Sequence, residues 1–352
     1  MSEGNSRVDP AEPLVRIEGL RKQFAKRSLL DRLAGRPESK TLALDDVTFS
    51  VAPREALALV GESGSGKTTL AHILVGLIKP DAGQVEFDGR DILRISRREL
   101  PAVRRRMQLI YQDPYSSLNS ALKIGDAIIE PALVHGLIDK QDAEKRTVEL
   151  MDQVGLSPSL ASRRPEALSG GQRQRVAIAR SLAAEPDVLI ADEAISALDV
   201  SVQVQVIGLF ARLQQELGLT LIFVSHQLAT VAQLCERVAI LYRGRLVEIG
   251  PVSEIFRRPR HGYTASLIQA HPGHRRLRDR PDVLMSSSSA PSLEQEGCPF
   301  RHRCAYVREI CHEVTPASTW VTREHMARCH VLPNDPKLAA GAGIEMRLEA
   351  NG

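Results

Sequence analysis

The segment that most constrains this chain is GESGSGKT at positions 61–68. It follows a short apolar run, EALALVGE (55–62), and opens directly into TTLAHILVGLI (68–78), whose apolar residues recur at helical spacing. The eight positions fit the pattern Gly, four residues, Gly, Lys, then Ser or Thr. At a background of about 7% glycine, a chance match in such a chain is on the order of one in a hundred. The bland alternative is a Gly-rich turn before a helix, and the flanking strand and helix weaken it. Glycines let the backbone curl until its N–H groups face a phosphate chain, and the helix N-terminus adds the positive end of its dipole. On this reading Gly61, Glu62, Ser63, Gly64, Ser65, Gly66, Lys67, Thr68 and Thr69 cradle a nucleotide's phosphates. Lys67 bridges the outer ones, and the Thr68 hydroxyl ligates Mg²⁺.

A strand–loop–helix unit of this kind needs a sheet, and the sequence supplies one. VLIADE (188–193) and TLIFVSH (220–226) are short apolar strands, each followed by a helical segment. This alternation predicts a largely parallel sheet covered on both faces, an α/β fold. LVRIEGL (14–20), LDDVTFSVA (44–52), QVEFDG and MQLIYQ are further strands, and RVAILYRGRLVEIG (237–250) is a closing hairpin about Arg243-Gly244. From about 118 to 160 the texture is helical. With 43% hydrophobic and 25% charged residues among 352, the composition is globular and excludes a mainly disordered chain. A net charge of +3 is too near neutral for a sequence-wide attraction to nucleic acid, and none is expected as a partner. No run of eighteen apolar residues occurs and the first residues lack a signal-peptide stretch, so a cytosolic location is expected.

VLIADE ends in an acidic pair. Asp192 is placed to hold Mg²⁺ through water and Glu193 to polarise an attacking water, which together with the phosphate loop makes a nucleotide-hydrolysing site. LSGGQRQRVAIARSLA (168–183) puts Ser169-Gly170-Gly171 before a helix, a second anion-ready N-terminus. One loop already serves one end of the nucleotide. A second suggests another protein surface closing over the γ-phosphate.

LSGGQ between a phosphate loop and an acidic strand resembles the ATP-binding subunits of ABC transporters over roughly 14–255. The resemblance implies a P-loop ATPase core (14–255) with an N-terminal antiparallel β subdomain and a helical signature subdomain (about 113–180), after a polar lead (1–13). It implies ATP and Mg²⁺ as ligands, and that Ser169, Gly170, Gly171 and Gln172 act on ATP held by a partner subunit. Gln112 in MQLIYQDPYSSLN matches the glutamine that senses Mg²⁺ and water and contacts the membrane subunits. Asp199 in SALD matches an interface aspartate, and His226 in FVSHQL a histidine that steadies the γ-phosphate. Phe24 is the candidate to stack on adenine, the alternative being an ordinary strand-end core aromatic. The sequence departs from the family at Ala194-Ile195, where Pro and a small hydroxyl residue are usual, and at Gln227, where Asp commonly follows the histidine.

QDPYSSLN, the long loop before strand 44–52 and PRHGYTASLIQAHP (259–272) look like the dipeptide, oligopeptide and nickel import branch, with Gly262 replacing a Pro. The implied function is ATP hydrolysis powering import of peptides or a related solute, at the cytoplasmic face of the bacterial inner membrane. The implied partners are two permease subunits, a second ATP-binding subunit (identical or paralogous) and a solute-binding protein across the membrane. The alternative is a soluble, non-transport ABC ATPase acting on a macromolecular partner. Arg94, Arg97, Arg98, Arg104, Arg105 and Arg106 form a basic stretch that is either a solvated face or a contact with anionic headgroups.

Beyond 255 the chain becomes a basic extension with a Ser-rich linker (256–296), a cysteine segment (297–335) and a tail (336–352). Cys298, Cys304, Cys311 and Cys329 are separated by five, six and seventeen residues. Disulfides are not expected in the cytosol. The spacing lacks the close cysteine pairs usual in zinc sites and matches neither common ferredoxin pattern. GCPFRHRCAYVREICHEVTP…ARCH resembles the C-terminal cysteine motif of the peptide-import ATPases, which implies a [4Fe–4S] cluster. Zinc and no metal stay open as alternatives, with His302, His312, His325 and His330 at hand as zinc ligands. Its place beyond a linker sets this segment apart from the catalytic motifs, in a structural or regulatory role. Cys235 is expected to be an inert buried hydrophobe.

Overall fold

The computed structural model describes residues 12–26, 39–113, 115, 118–196, 198–270 and 296–331. The polar lead, most of the loop between the first two strands, the serine linker and the tail lie outside the described residues. Strands β1 (Val15–Lys26) and β2 (Ser39–Val51) pair antiparallel, both longer than the sequence suggests. Register shifts along β1 break its alternation, so its outer half does not read as a strand. β3 (Ala56–Val60) is buried at every position and leads through the phosphate loop into α1 (Lys67–Leu74). That helix stops short of the apolar run's end because Gly76 takes φ +70° and turns the chain. β4 (Ala82–Phe87) and β5 (Arg90–Asp91) complete an antiparallel sheet in the order β2-β1-β4-β5.

The short helix α2 (Leu100–Arg106) precedes β6 (Met107–Ile110). Its arginines are largely committed to the fold. Arg106 pairs with Asp88 at 2.7 Å and Asp187 at 2.5 Å, and Arg104 donates to the carbonyls of Val75 and Gly76. Helices α3 (Ile124–Val134), α4 (Ala143–Gln153) and α5 (Gly170–Leu182) form the helical part. The chain then returns through β7 (Val188–Asp192), α6 (Val200–Leu217), β8 (Thr220–Ser225) and α7 (Leu228–Leu234). β9 (Arg237–Tyr242) and β10 (Arg245–Pro251) make the expected hairpin, with Arg243 and Gly244 both at positive φ, as a two-residue turn of this twist demands.

Strands β6, β7, β8, β3 and β9 run parallel, and β10 continues that sheet antiparallel. α8 (Val252–Arg257) and α9 (Gly262–Gln269) follow. The cysteine segment does not stand apart. Its strands β11 (Thr319–Trp320) and β12 (Met326–Ala327) extend the core sheet, β12 pairing with β10. Glu248 of β10 is fully buried and ties the join, accepting from the backbone N–H groups of Arg260 (2.7 Å) and His261 (3.0 Å). His325 Nε2 lies 2.8 Å from the same carboxylate. The two faces of the eight-stranded sheet carry separate apolar cores, one under the helical part and one under the antiparallel sheet.

Candidate functional site

The phosphate loop is shaped by glycines at two points. Gly66 stands at φ +101°, and a Cβ there would run into the Ala43 carbonyl and, at 2.8 Å, into Leu44. A Cβ on Gly61 would strike the Leu241 carbonyl and lie 2.5 Å from Ser65 Oγ. The loop therefore curls against β2 and the β9–β10 turn, whose Gly244 N–H donates to the Ser65 carbonyl at 2.9 Å. Ser65 Oγ is buried without a partner, a polar atom that a phosphate oxygen would satisfy. Ser63, Gly64 and Thr69 lie in the same turn and first helical turn.

Lys67 Nζ donates to the Gly61 carbonyl at 2.8 Å and the Glu62 carbonyl at 3.0 Å, and lies 3.8 Å from Glu193. Burial lowers its pKa, partly opposed by Glu193, Asp192 and Glu62. Thr68 Oγ1 donates to Asp192 at 3.3 Å, and burial raises that carboxyl's pKa. A hydroxyl and a carboxylate side by side at the strand end are a donor set suited to Mg²⁺ and its waters.

Glu193 follows β7 at φ +48°, an unusual conformation for a side-chain-bearing residue, fixed by donation from its N–H to the Val224 carbonyl. The kink turns its carboxylate toward three groups. Gln112 donates to one oxygen at 2.9 Å, while His226 and Lys67 lie 3.7 and 3.8 Å from the other. Ala194 and Ile195 are buried, so this departure from the family pattern leaves Glu193's polar contacts in place. Gln227 donates its N–H to Ser225 Oγ and accepts from Thr230 Oγ1 at 3.4 Å.

The signature segment is elsewhere. Ser169 caps α5 with Gln172 in a reciprocal pair, Ser169 N–H donating to Gln172 at 3.0 Å and Gln172 N–H to Ser169 Oγ at 3.3 Å. No hydrogen bond or ion pair among the described residues joins Ser169, Gly170, Gly171 or Gln172 to the phosphate loop. Asp199 begins α6 with an exposed side chain, followed by exposed Val200 and Val204. Phe24 is 40% exposed on β1, with Lys22 Nζ 5.4 Å from its ring centre, so it is not a core aromatic.

The cysteine segment requires one correction. It is not set apart from the catalytic motifs, because Arg303 pairs with Glu62 of the phosphate loop through two bonds of 2.9 and 3.0 Å. Glu62 N–H also donates to the Tyr263 hydroxyl at 2.8 Å, a contact no sequence pattern announces. The metal expectation has no support in this geometry: among the described residues no three His, Cys, Asp or Glu side chains are grouped as metal ligands. His325 and His330 are engaged with Glu248 and the Val314 carbonyl. The four thiols form no disulfide with one another. Burial raises Cys304 to about 12, with Cys329, Cys298 and Cys311 adding to the shift, and raises Cys298 to about 11. Cys235 is buried, and burial raises its thiol well above the ordinary value, as an inert hydrophobe requires.

Comparison with known proteins follows the same lines. Residues 44–196 match the ABC transporter model, and residues 247–311 match the oligopeptide/dipeptide transporter C-terminal region. A Brucella ovis protein provisionally named a peptide import ATP-binding protein is 41% identical over 318 residues, 90% of this chain and 97% of that protein. The glutathione import ATP-binding protein GsiA of Pectobacterium atrosepticum is 46% identical over 78% of this chain, which spans only 44% of GsiA. Among solved structures, the dimeric post-hydrolysis state of the ATP-binding cassette MJ0796 with ADP and Pi superposes with a TM-score of 0.60 at 28% identity, covering 68% of this chain and 98% of that one. The Clostridium perfringens cassette cbiO1, part of an ABC transporter complex, gives 0.59 at 29% identity, over 69% of this chain and 90% of that one. With the phosphate loop, the acidic strand end and the signature helix all in place, the chain belongs to the ABC transporter ATP-binding family, in its oligopeptide/dipeptide branch, and is an ABC-type transport ATPase.

Proposed function

We propose that this chain hydrolyses ATP to power import of di- or oligopeptides, or a related small solute, through a separate pair of membrane permease subunits. The C-terminal region match and the relatives named for peptide and glutathione import support the substrate class. No described helix is long and apolar enough to cross a membrane, which suits a subunit that sits peripherally at the cytoplasmic face of the inner membrane. A second ATP-binding subunit, identical or paralogous, completes each site, because among the described residues no hydrogen bond or ion pair joins Ser169–Gln172 to this chain's own loop. Asp199 with the apolar Val200 and Val204 forms the surface facing it, and a solute-binding protein delivers cargo across the membrane. The permease docks at a cavity of about 260 Å³ lined by Leu77, Arg104, Met107, Tyr111, Pro131 and Arg180, beside Gln112.

In this reading the loop amides and Lys67 bind the phosphates, and Phe24 stacks on the base. Thr68 and Asp192 hold Mg²⁺, which neutralises phosphate charge when bound. Glu193 orients and takes the proton of the attacking water, Gln112 fixes the Glu193 carboxylate, and His226 steadies the γ-phosphate. The carrying observation is the set of polar groups gathered on Glu193, with Gln112 at 2.9 Å, His226 at 3.7 Å and Lys67 at 3.8 Å. Glu193→Gln in the assembled complex is expected to keep ATP binding, accumulate an ATP-bound dimer and lose ~10²–10⁴-fold in turnover. Hydrolysis at the wild-type rate would refute the role of Glu193.

The four C-terminal cysteines carry a narrower proposal, a [4Fe–4S] cluster, supported by the likeness of this segment to the C-terminal cysteine motif of peptide-import ATPases, three of whose cysteines fall within the matched C-terminal region. Anaerobically purified protein is expected to contain iron and sulfide and to lose both in Cys304→Ser. A colourless protein without them overturns the cluster.

A further inference from the structure

Residue 62 of the phosphate loop is gripped from two sides. From within the loop, Lys67 Nζ donates to its carbonyl at 3.0 Å. From the C-terminal extension, its N–H donates to the Tyr263 hydroxyl at 2.8 Å, and its carboxylate receives both terminal nitrogens of Arg303 at 2.9 and 3.0 Å. A two-pronged guanidinium–carboxylate pair fixes orientation as well as distance, which a single ammonium contact does not.

Both outer groups are themselves immobilised. Tyr263 is fully buried, its ring 4.5 Å from Tyr242 and 5.4 Å from Phe300, centre to centre. Its N–H donates to His261 Nδ1 at 3.1 Å, and the His261 backbone hangs on buried Glu248. Arg303 lies over the Phe300 ring, 5.6 Å from its centre, one residue before Cys304. A hydroxyl so fixed, aimed at a backbone amide of a glycine-rich loop, sets where that peptide lies. The loop's own sequence, with Gly61, Gly64 and Gly66, gives it little stiffness of its own.

We propose that Arg303 and Tyr263 are positioning residues of the nucleotide site. They preset the peptide of Glu62, and hence the carbonyl on which Lys67 rests, so that the loop is shaped before a triphosphate arrives. Preorganisation of this kind appears as affinity, because less ordering remains to be done on binding. The inference rests on the reading of residues 61–69 as the ATP phosphate cradle. It assigns to the C-terminal extension a part in ATP binding that the ATPase motifs do not contain.

The test uses full-length protein and Mg-ATP, with affinity measured by titration calorimetry and KM and kcat measured separately. Tyr263→Phe removes one oxygen and keeps the packed ring, and Arg303→Ala removes the pair. Tyr263→Phe, which loses one ordinary hydrogen bond, is expected to weaken ATP binding about 3- to 12-fold, and Arg303→Ala, which loses two charge-assisted ones, about 5- to 30-fold or more, each raising KM more than it lowers kcat. Arg303→Lys should recover part of the loss. In a Glu62→Gln background, Arg303→Ala should cost much less than in the wild type, since its partner's charge is gone. Glu62 is partly exposed, so that variant folds even if Arg303→Ala proves unstable, and it should by itself show a weakened affinity. A Lys67→Ala control separates the two layers. Wild-type protein that binds no ATP, or binds it equally with Lys67→Ala, overturns the cradle reading and this inference together. ATP binding that needs Lys67 yet stays within twofold of wild type in Tyr263→Phe, Arg303→Ala and Glu62→Gln overturns the positioning role alone.

Discussion

In the proposed function Glu193 and His226 divide the work of the site. Glu193 reaches its three neighbours only because its backbone accepts φ +48°, a strain on the order of 1–3 kcal/mol held by the Val224 hydrogen bond and by buried Ala194 and Ile195 on its far side. His226 lies on the solvent side, its ring nitrogen 3.7 Å from the carboxylate. It makes no contact with the loop amides or with Thr68 among the described bonds. His226→Ala is therefore expected to slow turnover by about 10²-fold or more while ATP affinity, set by Lys67 and the loop, stays near wild type. Equilibrium ATP binding alongside single-turnover hydrolysis checks this, and a large loss of affinity would refute the division of roles.

At the scale of elements, β10 carries an unusual burden for a strand near the sheet edge. Its fully buried Glu248 satisfies two backbone N–H groups and faces His325, joining three segments distant in sequence. Glu248→Leu would leave those donors buried without acceptors, at about 1–3 kcal/mol each, so a loss of about 3–5 kcal/mol in all is expected. Thermal unfolding reads it out, and an unchanged midpoint would show that water or a neighbour takes over. This junction also marks where the sequence stops being legible. β3, β7 and β8 are uninterrupted apolar runs, and the phosphate loop and signature helix announce themselves by residue order. Residues 326 and 327 offer no periodicity in a two-residue strand, and Glu248 in RLVEIG reads as a solvent-facing position. Likewise Glu62 reads as one loop residue among nine. Its partners Tyr263 and Arg303 are 201 and 241 positions away, and local patterns carry no trace of contacts at that separation. Gln112 and His226 are legible as site residues only through the family resemblance, and their convergence with Lys67 on Glu193 appears only in the structure, since these residues come from separate elements.

Across the whole molecule, an aromatic group stitches the cysteine segment to the ATPase core. Phe300 meets Tyr242 edge-on at 5.3 Å and Tyr263 at 5.4 Å, and is almost fully buried between them. Phe300→Ala is expected to cost about 3–5 kcal/mol and to lower ATP affinity along with stability, because Tyr263 and Arg303 both lean on that ring. Chemical denaturation and ATP titration on the same preparation check it. Stability lost with affinity intact would uncouple the two. The pairing of residue 62 with residue 303 has a consequence for the chain's birth. At about 5–20 residues per second, a ribosome adds Arg303 on the order of ten to fifty seconds after Glu62. Through that interval the early part of the fold can form while its loop waits for the last of its supports. Chains cut short before residue 303 would thus lack both that support and the strands β11 and β12, and are expected to hold ATP more loosely than the full chain.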